Sequence, residues 1–238
     1  MLVSAAPRAI TSLVDFQPRE RGKPMSQNTV IAVHPPIRSA LARRAGILAC
    51  LALFGCSAAA PEARAEMALY EIDPEHFSIL FSADHIGYQQ QLGMFLDGSG
   101  SFRFDETTNE LADLVVEIDA ASVFTNHQAR DNHLRSGDFL DAEAHPMIRF
   151  VMTEAEPLSD THGTITGDLT FRGVTQPVTL DVRLNKVGAY PWGPNYVVGV
   201  SADTVIRRSD FGSTYALEGG MVGDEIPLTF EIEAIRQD

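Results

Sequence analysis

The chain has 238 residues, with 18 Lys/Arg against 32 Asp/Glu and only two cysteines. From Glu66 onward the balance is 10 Lys/Arg to 29 Asp/Glu, a surface that repels phosphate backbones and argues against nucleic-acid binding. Cys50 and Cys56 both precede Glu66, so thiol catalysis, Cys-ligated zinc and Fe–S clusters are excluded from everything after it.

In chain order, residues 1–65 come first and read as a leader. Arg38, Arg43 and Arg44 form a basic cluster, and residues 45–60 (AGILACLALFGCSAAA) follow without a charge. Ala63-Arg64-Ala65 then supplies a small-x-small site. Basic region, apolar run and small-residue site in that order mark a secretory signal, with cleavage expected after Ala65. The apolar run is short for a membrane span, which needs about 20 residues. Met25 fits as the true start. Two other export routes stay open. Leu53-Phe54-Gly55-Cys56 resembles a lipoprotein box, which would lipidate Cys56 and tether the protein to a membrane. Arg43-Arg44 hints at the twin-Arg route, although Ala45-Gly46 departs from its pattern. Residues 66–238 are expected to form one domain.

Alternation of apolar and polar residues dominates that domain and predicts strands. Phe77, Ile79 and Phe81 share a face, as do Phe102 and Phe104, and Ile148, Phe150 and Met152. Residues 114–119, 165–171, 178–184, 196–206 and 226–235 complete eight strand regions; Ile165, Leu169 and Phe171 share a face in one of them. Asp97-Gly98, Arg172-Gly173, Pro191-Trp192-Gly193-Pro194 and Gly219-Gly220 punctuate them as turns. Eight strands with short turns favour antiparallel neighbours in a closed all-β barrel, which removes exposed edges; a sandwich is the alternative. Residues 125–137 (TNHQARDNHLRSG) break the alternation and predict one short helix. Thr125 with Gln128 fits a capping box, Asn126 could cap instead, Gly137 would stop the helix, and Asp131 can pair with Arg135 one turn on.

Few residues carry a catalytic signal. His127, Asp131 and His133 invite a metal reading, but His127 and His133 do not share a helix face, and a further ligand such as His85 or His145 would have to come from elsewhere. Capping and surface exposure explain the same residues. There is no G-x-S-x-G elbow. Glu154 and Glu156 share a strand face and read as a solvated edge. Arg130-Asp131, residues 138–141 (DFLD) and residues 208–212 (RSDFG) read as loops pinned by Arg–Asp pairs at the barrel ends, with contact to a ligand headgroup as the alternative. A barrel of eight strands can fill itself or hold one small ligand. Gly93, Gly100, Gly167 and Gly199 would leave room, but alternation alone does not choose, nor say which face points inward.

The ordered blocks resemble the YceI-like family. Residues 125–150 carry its T-x(4)-R-D-x-H-L-R-S-x-D-F-x-D…P-x-I-x-F pattern through Thr125, Arg130, Asp131, His133, Leu134, Arg135, Ser136, Asp138, Phe139, Asp141, Pro146, Ile148 and Phe150. Residues 167–178 (GDLTFRGVTQPV), 208–212 and 222–226 (VGDEI) match later blocks; Asp73, His76, Phe81 and His85 fit the opening, and Gly93 with Phe95 its G-x-F. The resemblance implies a lipocalin-like, eight-stranded antiparallel barrel and a periplasmic, non-enzymatic protein without a cofactor. It implies a polyisoprenoid, an isoprenoid quinone or a fatty amide as ligand, and a homodimer is among its associations. The candidate lining is Phe77, Ile79, Phe81, Phe95, Phe102, Phe104, Ile148, Phe150, Leu169 and Phe171, with no catalytic or metal residues. A metal-dependent enzyme and a plain structural or partner-binding barrel are the competing readings.

Overall fold

The computed structural model describes residues 67–237. The leader, Cys56 and the cleavage site after Ala65 lie outside the described residues. Ten strands and one helix follow in order: β1 (Ala68–His85), β2 (Gln89–Phe95), β3 (Gly98–Asp105), β4 (Glu110–Asp119), β5 (Val123–Phe124), α1 (Gln128–Arg135), β6 (Met147–Ser159), β7 (His162–Phe171), β8 (Val174–Ala189), β9 (Tyr196–Arg207) and β10 (Glu225–Gln237).

All pairings are antiparallel, and they close into a ring of eight: β1, β3, β4, β6, β7, β8, β9, β10 and back to β1. Closure runs from Leu69 opposite Gln237 to Phe81 opposite Leu228, which rules out a sandwich. The two extra strands do not enlarge the ring. The first part of β1 pairs with β3 and its last part with β2, so β2 and β3 are two halves of one strand position, broken at Leu96-Asp97. The two-residue β5 pairs with the end of β2. Ring closure leaves few unpaired edges to recruit other chains.

Inside, the alternation resolves which face points inward. Val178, Leu180, Val182 and Leu184 of β8, and Leu228, Phe230 and Ile232 of β10, face the interior. Most of these are only half-buried. A residue that points into a barrel yet keeps accessible surface reports a hollow interior. Two packed clusters sit at the ends. Ile79, Phe95, Ile118, Val123 and Phe211 fill the end near α1. Tyr70, Phe102, Phe104, Val198 and Ala234 fill part of the other. There Tyr70 stacks on Phe102, 5.5 Å between centroids and 8° from parallel, a geometry that adds to burial.

The helix is present but starts later than the capping-box reading has it. His127 is the N-cap; its Nδ1 accepts from the Arg130 amide at 3.2 Å. Thr125 is drawn away because its amide and hydroxyl both donate to Asp131 Oδ1. At the other end Ser136 is the cap, its amide donating to the His133 carbonyl, and the helix ends before Gly137. Arg135 does not pair with Asp131; it donates to the carbonyls of Ala121 and Val123 at 2.6 and 2.9 Å.

Candidate ligand-binding cavity

The barrel encloses a cavity of about 750 Å³, within the range of sites that bury most of a small ligand. Its wall is almost wholly carbon. Nine of the ten candidate lining residues border it: Ile79, Phe81, Phe95, Phe102, Phe104, Ile148, Phe150, Leu169 and Phe171. Phe77 does not. Its ring lies against the backbone at Gly98, where a Cβ would come within 2.2 Å of Cζ.

The glycines act less directly than the sequence suggests. A Cβ at Gly93 would lie 2.2 Å from Phe81 Cζ, and one at Gly167 2.4 Å from Phe150 Cζ. Each glycine makes room for an aromatic ring to lie on the wall, and the ring in turn lines the cavity. Gly100 is closed off by the Val115 carbonyl and Ile72, and Gly199 has no close neighbour.

The end near α1 is shut. Leu134 from the helix, with Phe139 and Leu140 after it, borders the cavity floor. Arginines hold these loops by bonding carbonyls, where the sequence suggested Arg–Asp pairs. Arg130 donates to the Thr125 hydroxyl and carbonyl at 2.7 Å each. Arg172 donates to the carbonyls of Gly137 and Phe139 at 2.9 and 2.6 Å. Arg208, 4% exposed, donates to the carbonyls of Gly223, Ser213, Tyr215 and Val222 at 2.8 to 3.0 Å, and its guanidinium lies 5.7 Å from the centroid of Phe139. Burial pushes the Arg208 pKa down, with the charge of Asp224 opposing it. Asp224 is in turn bonded by Ser209 and Arg207.

The opening is a slit in the wall. β4 and β6 pair only between Val115–Val151 and Asp119–Met147. Beyond that, residues 110–114 of β4 and 152–159 of β6 have no partner in each other. Both strands carry a bulge there. In β4, Asp113 and Leu114 stand opposite Phe102, with Asp113 at φ +54°. In β6, Thr153 is the extra residue between Met152–Gly167 and Glu154–Thr166. Bulges bend and twist a strand, and here they spread two neighbours apart. The far end of the slit is tied by one hydrogen bond, from Asn109 Nδ2 to the Asp160 carbonyl at 3.2 Å. Cavity-bordering residues at the slit include Leu111, Leu114, Met152, Ala155 and Pro157 inside, and Thr108, Asn109, Asp160 and Thr161 at its lip. The sequence reading took Glu154 and Glu156 as a solvated edge and did not find the slit; only an unpaired register reveals it.

The residues of the metal reading are not brought together. His127 caps the helix, Asp131 accepts from Thr125, and His133 bonds Asp138 at 2.9 Å. Burial pushes the Asp131 pKa up, but the Thr125 hydroxyl and amide, with Arg135 and Arg130 near, outweigh it and hold the carboxyl below its ordinary range. Among the described residues, the group with ligand-like spacing is Asp73, His76 and Glu233, at the barrel surface, where His76 already bonds Asp73 at 2.7 Å.

The YceI-like domain model matches residues 70–234. The chain belongs to the YceI-like family. A UPF0312 protein of Pectobacterium atrosepticum is 40% identical over 189 residues, 79% of this chain and 96% of that one. A UPF0312 protein of Pseudomonas aeruginosa is 41% identical over 192 residues, 80% and 97% of the two chains. Among solved structures, the Campylobacter jejuni YceI protein aligns at 33% identity and TM-score 0.59, covering 65% of this chain and 90% of that one. A polyisoprenoid binding domain from Saccharophagus degradans shares the fold at 14% identity and TM-score 0.53, covering 72% and 100%.

Proposed function

We infer that this YceI-like protein is an exported carrier that sequesters a long-chain polyisoprenoid or a related amphiphile, such as an isoprenoid quinone or a fatty amide, and that it performs no chemistry on it. The observation that carries the reading is the cavity of about 750 Å³, lined by aliphatic and aromatic side chains inside a closed barrel. Binding a polyisoprenoid is what the Saccharophagus degradans neighbour is described as doing, which supports the same ligand class here.

The driving force is removal of hydrocarbon from water. At about 0.8 kcal/mol per buried CH₂, a tail of roughly 40 carbons would gross about 30 kcal/mol. Net affinities saturate near 20 kcal/mol, because ordering the tail opposes binding. Even a partly enclosed tail therefore binds tightly. The reading places the protein in the periplasm, released by cleavage after Ala65, with a lipid anchor on Cys56 as the competing form. The mass of the mature protein distinguishes them.

The test is extraction. Protein purified from its native host is treated with organic solvent and the extract is analysed by mass spectrometry. One amphiphile at unit stoichiometry is expected. A clean extract would contradict the reading.

A further inference from the structure

The slit between β4 and β6 carries more information than an entrance. We propose that it is the ligand portal and that its charged lip restricts the headgroup: the protein takes amphiphiles with an uncharged or cationic head and rejects those with a phosphate or diphosphate. This rests on the carrier reading above and adds headgroup selection to it.

The lip is acidic. Glu110 and Asp160 stand at its tip, and Glu154 and Glu156 follow along β6 on its outer side, alternating with the inward Ala155 and Pro157; all four residues border the opening and all four are exposed. Among the described residues lining the cavity there is no lysine, and the one arginine is Arg208, at the opposite, closed end, with four carbonyls around it. His162 is the one basic side chain at the lip, and it bonds Asp181 at 2.9 Å. The arginines at this end are matched elsewhere: Arg103 faces Asp113 at 3.6 Å, Arg183 donates to Asn185, and Arg236 stacks on Tyr196; Lys186 is exposed on β8, two strands away from the slit in the ring, and does not line the cavity.

The cavity makes these carboxylates relevant to a ligand. The apolar interior fixes the tail inward, and the floor near α1 is shut, so the head is left at the slit. The lip offers it the Thr108 and Thr161 hydroxyls, which suit a hydroxyl, a carbonyl or an amide. A diphosphate would bring its own negative charge among four carboxylates within about one Debye length, a repulsion that water and salt weaken but do not remove.

Three probes sharing one geranylgeranyl tail separate the possibilities: the alcohol, the amine and the diphosphate, each measured by displacement of one fluorescent apolar probe. The alcohol and the amine are expected to bind the native protein, and the diphosphate on the order of tenfold more weakly, with the gap narrowing at high salt. The variant Glu110→Lys/Glu154→Lys/Glu156→Lys should keep the alcohol affinity and reverse the order of amine and diphosphate. The control Glu71→Lys/Glu218→Lys/Glu225→Lys, which changes the same charge away from the slit, should keep the native order. Diphosphate binding to the native protein as tightly as the alcohol would overturn the headgroup rule while leaving the carrier intact. Reversal by the control would overturn the assignment to the slit. Failure of all three probes to bind would overturn the carrier reading and this one with it.

Discussion

Asp131 sits 5% exposed at the foot of α1, accepting from both the amide and the hydroxyl of Thr125. Arg130 bonds the same threonine from the other side. Removing the carboxylate strands buried donors, so Asp131→Ala is expected to cost about 2 to 4 kcal/mol in urea unfolding. The pH dependence follows from direction. The folded pKa of Asp131 is lowered, and so is that of Asp224, where burial pushes up but the Ser209 amide and hydroxyl and Arg207 outweigh it. Their contribution is therefore complete above the unfolded value of about 3.9 and is lost as pH falls through the folded value. Stability should drop below about pH 4, and more shallowly in Asp131→Ala, as followed by thermal unfolding at stepped pH. At this scale the sequence is partly legible. Alternation picks out nine lining residues, because period two survives wherever a strand is regular. Phe77 keeps the same period, opposite the cavity-lining Ile232, but its ring is taken up over Gly98 and does not reach the cavity. The helix cap escapes because Thr125 has a better partner six residues on than the helix amides nearby.

The eight ring strands are legible as elements, and β2 is not. Gln89-Gln90-Gln91 has no apolar alternation, and the segment is a strand because the last seven residues of β1 offer it a ladder. The slit has the same character. Bulges at Asp113 and Thr153 depend on partner strands, which a single segment does not announce. If the slit is the route in and out, its one tie should set the exchange rate. Asn109→Ala removes the hydrogen bond to the Asp160 carbonyl. Ligand release and uptake should both quicken severalfold in stopped-flow exchange, with equilibrium affinity changed little. Unchanged rates would place the route elsewhere.

At the scale of the molecule, the acidic surface and the apolar interior are separate features: the charges face water, and in the carrier proposed above the cavity would hold what water will not. Composition and alternation predict the closed barrel, but they do not distinguish a hollow interior from a filled one, because both use the same apolar faces. Volume is a property of the whole ring. Ala202 of β9, 6% exposed, borders the cavity and gives a way to alter volume alone. A phenylalanine there extends from the wall toward the cavity, and any overpacking of the wall by it would show as a loss of stability in thermal unfolding. The most direct measurement is the native mass of the intact protein purified from its own host, wild type beside Ala202→Phe. One apolar adduct per chain on the wild type, lost or sharply reduced on a folded Ala202→Phe, is the predicted result. A bare wild-type mass, or the same adduct on both proteins, would contradict it.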